Sequence, residues 1–143
     1  MVVDTSAIVA LLLGEETAPS IAAALADASD PVTSAATLVE ATIVVESRLG
    51  PAGVLRLEQV VRESDIAIVD VTEDIARTAC DAWRSFGNGR HPAALNFGDC
   101  FSYALASRRD EAVLCVGNDF AQTDIGVVSL VDPDDGAARP QEF

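Results

Sequence analysis

Met1-Val2-Val3-Asp4-Thr5-Ser6-Ala7-Ile8 opens the chain, and how this stretch is read decides the fold class. Met1 to Val3 suit a short strand, which runs straight into a carboxylate. Thr5 and Ser6 are good helix-cap types, and Ala7 to Leu13 continues as an apolar helix stopped near Gly14. Strand followed at once by helix is the start of an alternation that continues along the chain.

Ala18 to Ala28 reads as a second helix, with Pro19 tolerated in its first turn. Pro31-Val32-Thr33 is a short strand candidate. Ala35 to Leu49 is a strong helix ending at Gly50, and Pro51 to Glu63 is another. Ile66 to Val71, after Asp65, is rich in β-branched residues and reads as a strand. Thr72 caps a helix that runs to about Phe86, with Glu73 and Asp74 suiting the dipole of its first turn. Gly87 to Pro92 is a loop, Asn96 to Arg108 a helix and Ala112 to Val116 a strand. Gly117 to Gly126 is a loop with a helical turn, and Val127 to Leu130 is a last strand. Short strands alternating with longer helices predict a parallel sheet covered on both faces. Residues 1–131 form one domain in this reading, and 132–143, rich in Pro, Asp and Gly, are a frayed tail.

The chain has 143 residues, half of them hydrophobic, enough for one real core. Its apolar runs are too short to span a bilayer. No basic segment precedes Asp4, so a cytoplasmic protein is expected. Cys80, Cys100 and Cys115 are odd in number and widely spaced, with no CxxC, which argues for reduced thiols rather than a zinc site. The formal net charge is -14, and all nine basic residues are arginine. Such a surface repels nucleic acid at long range unless metal ions and local arginines offset it, or a basic partner neutralises it.

Against this background four acids stand out. Asp4 follows the first strand, and Asp119 follows the Ala112 to Val116 strand. Asp99 lies in the first turn of the Asn96 helix. Ligand sites in parallel sheets lie beyond the carboxyl ends of the strands. Glu40 is odder, because Ala36, Thr37, Ile43 and Val44 share its helical face. A carboxylate on a largely apolar face must be paired, metal-bound or protonated. Asp99 repeats the pattern, sharing its face with Ser102 and Tyr103. Taken singly, Asp4 and Asp99 also suit helix caps, and Asp119 a turn. As a set, four carboxylates without a lysine call for a hard divalent cation, Mg²⁺ or Mn²⁺, which can bridge to phosphate.

The missing residues exclude rivals. Response-regulator receivers and haloacid-dehalogenase phosphatases need a lysine near the phosphoryl group, and so does a Walker A loop. No GxGxxG follows the first strand and no GxSxG is present. His91, the single histidine, suits at most a secondary role in substrate contact.

The pattern resembles the PIN-domain nucleases, and among them the VapC-type toxins of bacterial toxin–antitoxin pairs. The resemblance rests on Val2-Val3-Asp4-Thr5-Ser6-Ala7, Leu38-Val39-Glu40 and Gly89-Arg90-His91-Pro92-Ala93. It rests further on Leu95-Asn96-Phe97-Gly98-Asp99-Cys100-Phe101-Ser102-Tyr103-Ala104 and on Gly117-Asn118-Asp119-Phe120 with Thr123-Asp124-Ile125. It implies a three-layer α/β/α fold with a central, mostly parallel sheet. It also implies Mg²⁺- or Mn²⁺-dependent endoribonuclease activity, commonly on tRNA or rRNA. Asp4, Glu40, Asp99 and Asp119 become the catalytic and metal-site acids. Asp4 and Asp99 are then direct ligands, Glu40 and Asp119 act through water or position the nucleophile, and Asp124 is a fifth, outer member. A VapB-type antitoxin and a second copy of the chain are the implied protein partners. Two departures matter: many PIN domains carry the fourth acid where this chain has Gly117, and a basic residue where it has Val116. RNA contact then falls to Arg84, Arg90, Arg108 or Arg109. Two other readings stay open here: a catalytically inactive PIN-like module that regulates through a partner, and a housekeeping RNA-processing nuclease.

Overall fold

The computed structural model describes residues 1–130, so the expected tail lies outside the described residues. Four strands, β1 (Val2–Val3), β2 (Val32–Ser34), β3 (Ala67–Val69) and β4 (Val113–Leu114), form one sheet in the order β3-β2-β1-β4. Every pairing is parallel, with Val2 opposite Val32 on one side and Val113 on the other. Among the described residues the sheet is accompanied by the α-helices α1 (Thr5–Leu13), α2 (Ala18–Asp27), α3 (Ala35–Glu63), α4 (Glu73–Phe86) and α5 (Phe97–Arg109), and by a 3-10 turn at Phe120–Gln122.

The pleat divides the core in two. Successive strand residues point to opposite faces, so Val2 and Val113 join Leu95, Ala104 and Leu105 under α4 and α5. Val3 and Leu114 join Ile8, Ile21, Val45 and Leu57 under α1, α2 and α3. All of these side chains are almost completely buried. The result is the expected α/β/α sandwich.

Two expectations need correction. First, α1 begins at Thr5 rather than Ala7, and of the three cap types that open the helix Asp4 is the one that caps it. Asp4 is extended (φ −86°, ψ 157°), and its carboxylate accepts from the Ser6 N–H. Second, Val127 to Leu130 is not a strand but a single parallel bridge between Val113 and Val127. With β4 only two residues long, there is little ladder to extend. The two helices expected on either side of Gly50 are present, joined at a sharp kink within α3: Gly50 has φ 68° and ψ −166°, a conformation that glycine adopts readily, and Pro51 restarts the helical path.

The edge strand β3 is less covered than the sequence implies, and Ile68 is exposed. Among the described residues, no helix is long and apolar enough to cross a membrane. The strand order places a switch point at β1. The chain moves outward to β2 and β3, then returns to the opposite side of β1 as β4. A crevice beyond the carboxyl ends of β1 and β4 follows from that path.

Candidate active site

Asp4 sits at the mouth of this crevice. Its backbone N–H donates to the Leu114 carbonyl at 3.0 Å, which ties the end of β1 to the end of β4. The side chain is 3% exposed, so its charge must be met locally. Oδ2 accepts from the Ser6 N–H at 2.9 Å and from Ser6 Oγ at 2.6 Å. Oδ1 accepts from Ser102 Oγ at 2.6 Å, reaching across from α5. Ser6 is held in turn, because its Oγ accepts from the Val116 N–H at 3.0 Å.

Glu40 approaches from α3. Its Oε2 accepts from Thr5 Oγ1 at 2.7 Å, one residue along from Asp4. Its carboxylate lies flat against the start of α5. A Cβ on Gly98 would meet both carboxylate oxygens at 2.3 Å, so this approach requires glycine. The apolar face of α3 therefore carries an acid because that acid faces a hydroxyl and a bare backbone.

Asp99 is both a cap and a member of the cluster. Its Oδ2 accepts from the Asn96 N–H at 2.9 Å, and Asn96 Oδ1 accepts from the Asp99 N–H at 2.9 Å. This reciprocal pair is a capping box at the head of α5. The Asp99 carboxyl is nonetheless pushed up from 3.8 to about 6. Burial is the main cause, opposed by the Asn96 hydrogen bond and reinforced by the charges of Asp4, Asp119 and Glu40. All three other acids thus lie within electrostatic reach of Asp99. Cys115 reports the same field from beneath. Its thiol is pushed up to about 12, by burial first and then by Asp4, Asp119 and Asp99.

Asp119, in the loop after β4, is linked to this group by its charge on Asp99 and Cys115. It is exposed and precedes the 3-10 turn Phe120–Gln122, where its side chain makes no capping bond. Among the described residues, no three His, Cys, Asp or Glu side chains are set together as a ready-made metal cage. The donor set is all oxygen and anionic, which suits a hard cation. Mg²⁺ is usually held by one or two carboxylates, with waters and substrate phosphate filling the remaining positions, so a closed protein cage is not required.

Comparison with known proteins agrees with this architecture. Residues 1–126 match the PIN domain. Ribonuclease VapC36 of Mycobacterium tuberculosis is 46% identical over 126 residues, spanning 87% of this chain and 91% of that protein. The chain belongs to the PIN-domain family, among its VapC ribonucleases. Two solved structures share the fold at 20% identity. The crystal structure of M. tuberculosis VapC20, described as a sarcin-ricin loop cleaving toxin, has a TM-score of 0.74 and covers 89% of this chain and 97% of its own. A toxin–antitoxin complex from Klebsiella pneumoniae has a TM-score of 0.68 and covers 92% and 98%.

Other candidates lie elsewhere on this PIN domain. Asp124 accepts from the Tyr103 hydroxyl at 2.6 Å. It lines a cleft with Ala106, Ser107 and Asp110 at the far end of α5, away from Asp99. Burial, and then this hydrogen bond, raise the Tyr103 phenol above its ordinary range. His91 Nδ1 accepts from the Ala93 N–H at 3.1 Å, and its ring packs edge-on against Phe86 at 5.1 Å. It organises its own loop. Arg84 pairs with Asp81, Arg108 with Asp74 and Arg109 with Glu111. Arg90 stacks 4.0 Å above the Trp83 ring. Each of the four arginines expected at RNA has a protein partner.

The hydroxyls around the acids were the least legible part of the site. Ser34 Oγ accepts from the Thr37 N–H and lies 2.8 Å from Thr37 Oγ1, which lies 3.5 Å from Ser102 Oγ. A buried chain of hydroxyls thus links β2, α3 and α5 to Asp4. The signal was present as small polar residues on apolar helix faces, Thr37 beside Glu40 and Ser102 beside Asp99.

Proposed function

We propose that this ribonuclease is a Mg²⁺- or Mn²⁺-dependent endoribonuclease. In this reading it acts in the cytoplasm as the toxin of a toxin–antitoxin pair. The observation that carries the proposal is the convergence of Asp4, Glu40 and Asp99 at the head of α5: Ser102 of that helix holds Asp4, and Glu40 lies against Gly98, the neighbour of Asp99. Like charges so gathered destabilise one another unless a cation or a proton joins them. Asp4 and Asp99 would hold the cation directly, and Glu40 and Asp119 through water. When bound, it supplies Lewis acidity towards the scissile phosphate and offsets the charge that develops there.

The chain's own residues do the positioning. Ser6 and Ser102 fix both oxygens of Asp4, so that carboxylate is oriented before substrate arrives. Thr5 fixes one oxygen of Glu40 and so holds that carboxylate against the head of α5, beside Asp99. Burial and three neighbouring anions raise the Asp99 carboxyl to about 6, so its charged form is disfavoured until positive charge enters the crevice.

The chain carries a net charge of -14, which suits a basic partner. A VapB-type antitoxin whose tail covers the acid site fits this requirement, and the fold shared with a chain of the Klebsiella toxin–antitoxin complex supports it. A homodimer is the expected oligomer. The decisive experiment incubates the purified chain with total RNA and millimolar Mn²⁺ or Mg²⁺, with and without EDTA. Cleavage should need the metal and vanish in Asp99→Asn, with the circular dichroism spectrum unchanged. A fully active Asp99→Asn protein would overturn the assignment.

A further inference from the structure

Phe97 is 80% exposed, more than any other large apolar side chain among the described residues. It is the first residue of α5, two positions before Asp99. Phe101 supports it from below, edge-on at 5.0 Å. The pair forms a ridge between two apolar clefts. One, of about 320 Å³, is lined by Val39, Ile43, Gly98 and Glu40, so it opens beside the acid cluster. The other, of about 420 Å³, is lined by Cys80, Trp83, Arg84 and Cys100.

Electrostatics leave the domain short of a means to hold RNA. The net charge is -14, and acids gather at the site itself. Arg84 and Arg108, the cations on α4 and α5 closest in sequence to this ridge, are paired with Asp81 and Asp74. Arg90 is engaged with Trp83. Binding through many phosphate contacts, the usual source of nucleic-acid affinity, is therefore weak here. Base stacking on an aromatic face needs no charge and accepts every base. Phe97 offers such a face, continuous in sequence with Gly98 and Asp99.

We propose that Phe97 is a stacking platform for an unpaired base of the RNA, adjacent to the phosphate that is cut. This rests on the ribonuclease reading and adds the residue that grips the substrate. The platform needs an aromatic plane, whereas a protein partner on the same ridge needs only apolar bulk.

The test is steady-state cleavage of a short single-stranded RNA by the full chain with Mn²⁺, comparing Phe97→Ala, Phe97→Leu, Phe97→Tyr and wild type. Phe97→Ala and Phe97→Leu should raise KM about tenfold, with kcat within about twofold. Phe97→Tyr should restore KM. The dependence of KM on salt should be shallow and equal in all four proteins, because no phosphate contact is removed. Sedimentation should give the same mass for each. Wild-type KM in Phe97→Leu, or a fall in mass that parallels the loss of activity, would overturn the platform and make the ridge a protein-docking surface. Failure of the wild type to cut any RNA would instead overturn the ribonuclease reading, and the platform with it.

Discussion

Asp4 and Asp119 both raise the Asp99 carboxyl by their charge, yet they are held in opposite ways. Asp4 is buried at the sheet's switch point, with three donors on its two oxygens. Asp119 is exposed in the loop after β4, and its side chain makes no capping bond. The difference follows from where each acid meets the sheet. Asp4 ends β1, which has a strand on either side, whereas Asp119 follows the edge strand β4 by five residues. One side of the site is therefore set by the fold, and the other is free to adjust to what binds. A pre-organised wall and an adjustable one suit a polymer substrate, which must enter and leave.

The comparison breaks first at Asp4. Asparagine keeps the helix cap on α1, since Asn and Asp cap almost equally well. Asp4→Asn should thus fold and melt like the wild type while losing about 10²- to 10³-fold in RNA cleavage, the scale of one pre-organised electrostatic contact. Thermal melts beside cleavage rates would check this. A variant that unfolds would show that the carboxylate serves the fold more than the chemistry.

A milder break removes only the support. Ser102→Ala deletes the donor to Asp4 Oδ1 and leaves every acid in place. Outer-shell partners of metal ligands typically contribute about 10- to 100-fold to affinity or activity. Calorimetric Mn²⁺ titration should show weaker binding on that scale, and Ser102→Thr should recover part of it. Asp119→Asn should cost less, about tenfold or below, because that side chain is exposed and makes no capping bond. If Asp119→Asn proved as damaging as Asp4→Asn, the adjustable wall would have to be redrawn as a second fixed one.

Much of this was legible in the sequence, for a physical reason in each case. Strand and helix alternate with distinct periods, so the layers could be read from residues such as Val2, Val3 and Ile8. Glu40 was conspicuous because a charge on an apolar face needs a partner. Its partners were not legible, because Thr5 and Gly98 are 35 and 58 positions away and only the fold brings them together. Which of Asp4, Thr5 and Ser6 caps α1 was not legible, since Asp, Thr and Ser all cap well and only the backbone angles separate them. Val127 to Leu130 has strand composition, yet strand formation depends on a partner ladder that β4 is too short to give. The partners of the four arginines were unreadable for a similar reason. Charge is visible in a sequence, but the pairing of Arg108, Arg84 and Arg109 with Asp74, Asp81 and Glu111, or the seat of Arg90 on Trp83, is not.

The smallest expected effect is also the most direct measure of how closely the acids meet. In the metal-free protein, the Asp99 carboxyl carbon followed by NMR should titrate with a midpoint of about 6, against 3.8 ordinarily. Between those values the native state binds the proton more tightly than the unfolded chain does. By linkage, the contribution of Asp99 to stability falls as pH rises through that window and reaches its full penalty above it. Asp4→Asn should lower the midpoint, because the charge of Asp4 helps raise it. Asp119→Asn should lower it less, because the Asp119 charge contributes less. Burial alone would give a raised midpoint that neither substitution moves, so the two variants separate a desolvated acid from a shared anionic pocket. A divalent cation should pull the midpoint down in the wild type, and should do so less in Asp4→Asn, whose fixed wall has lost its charge.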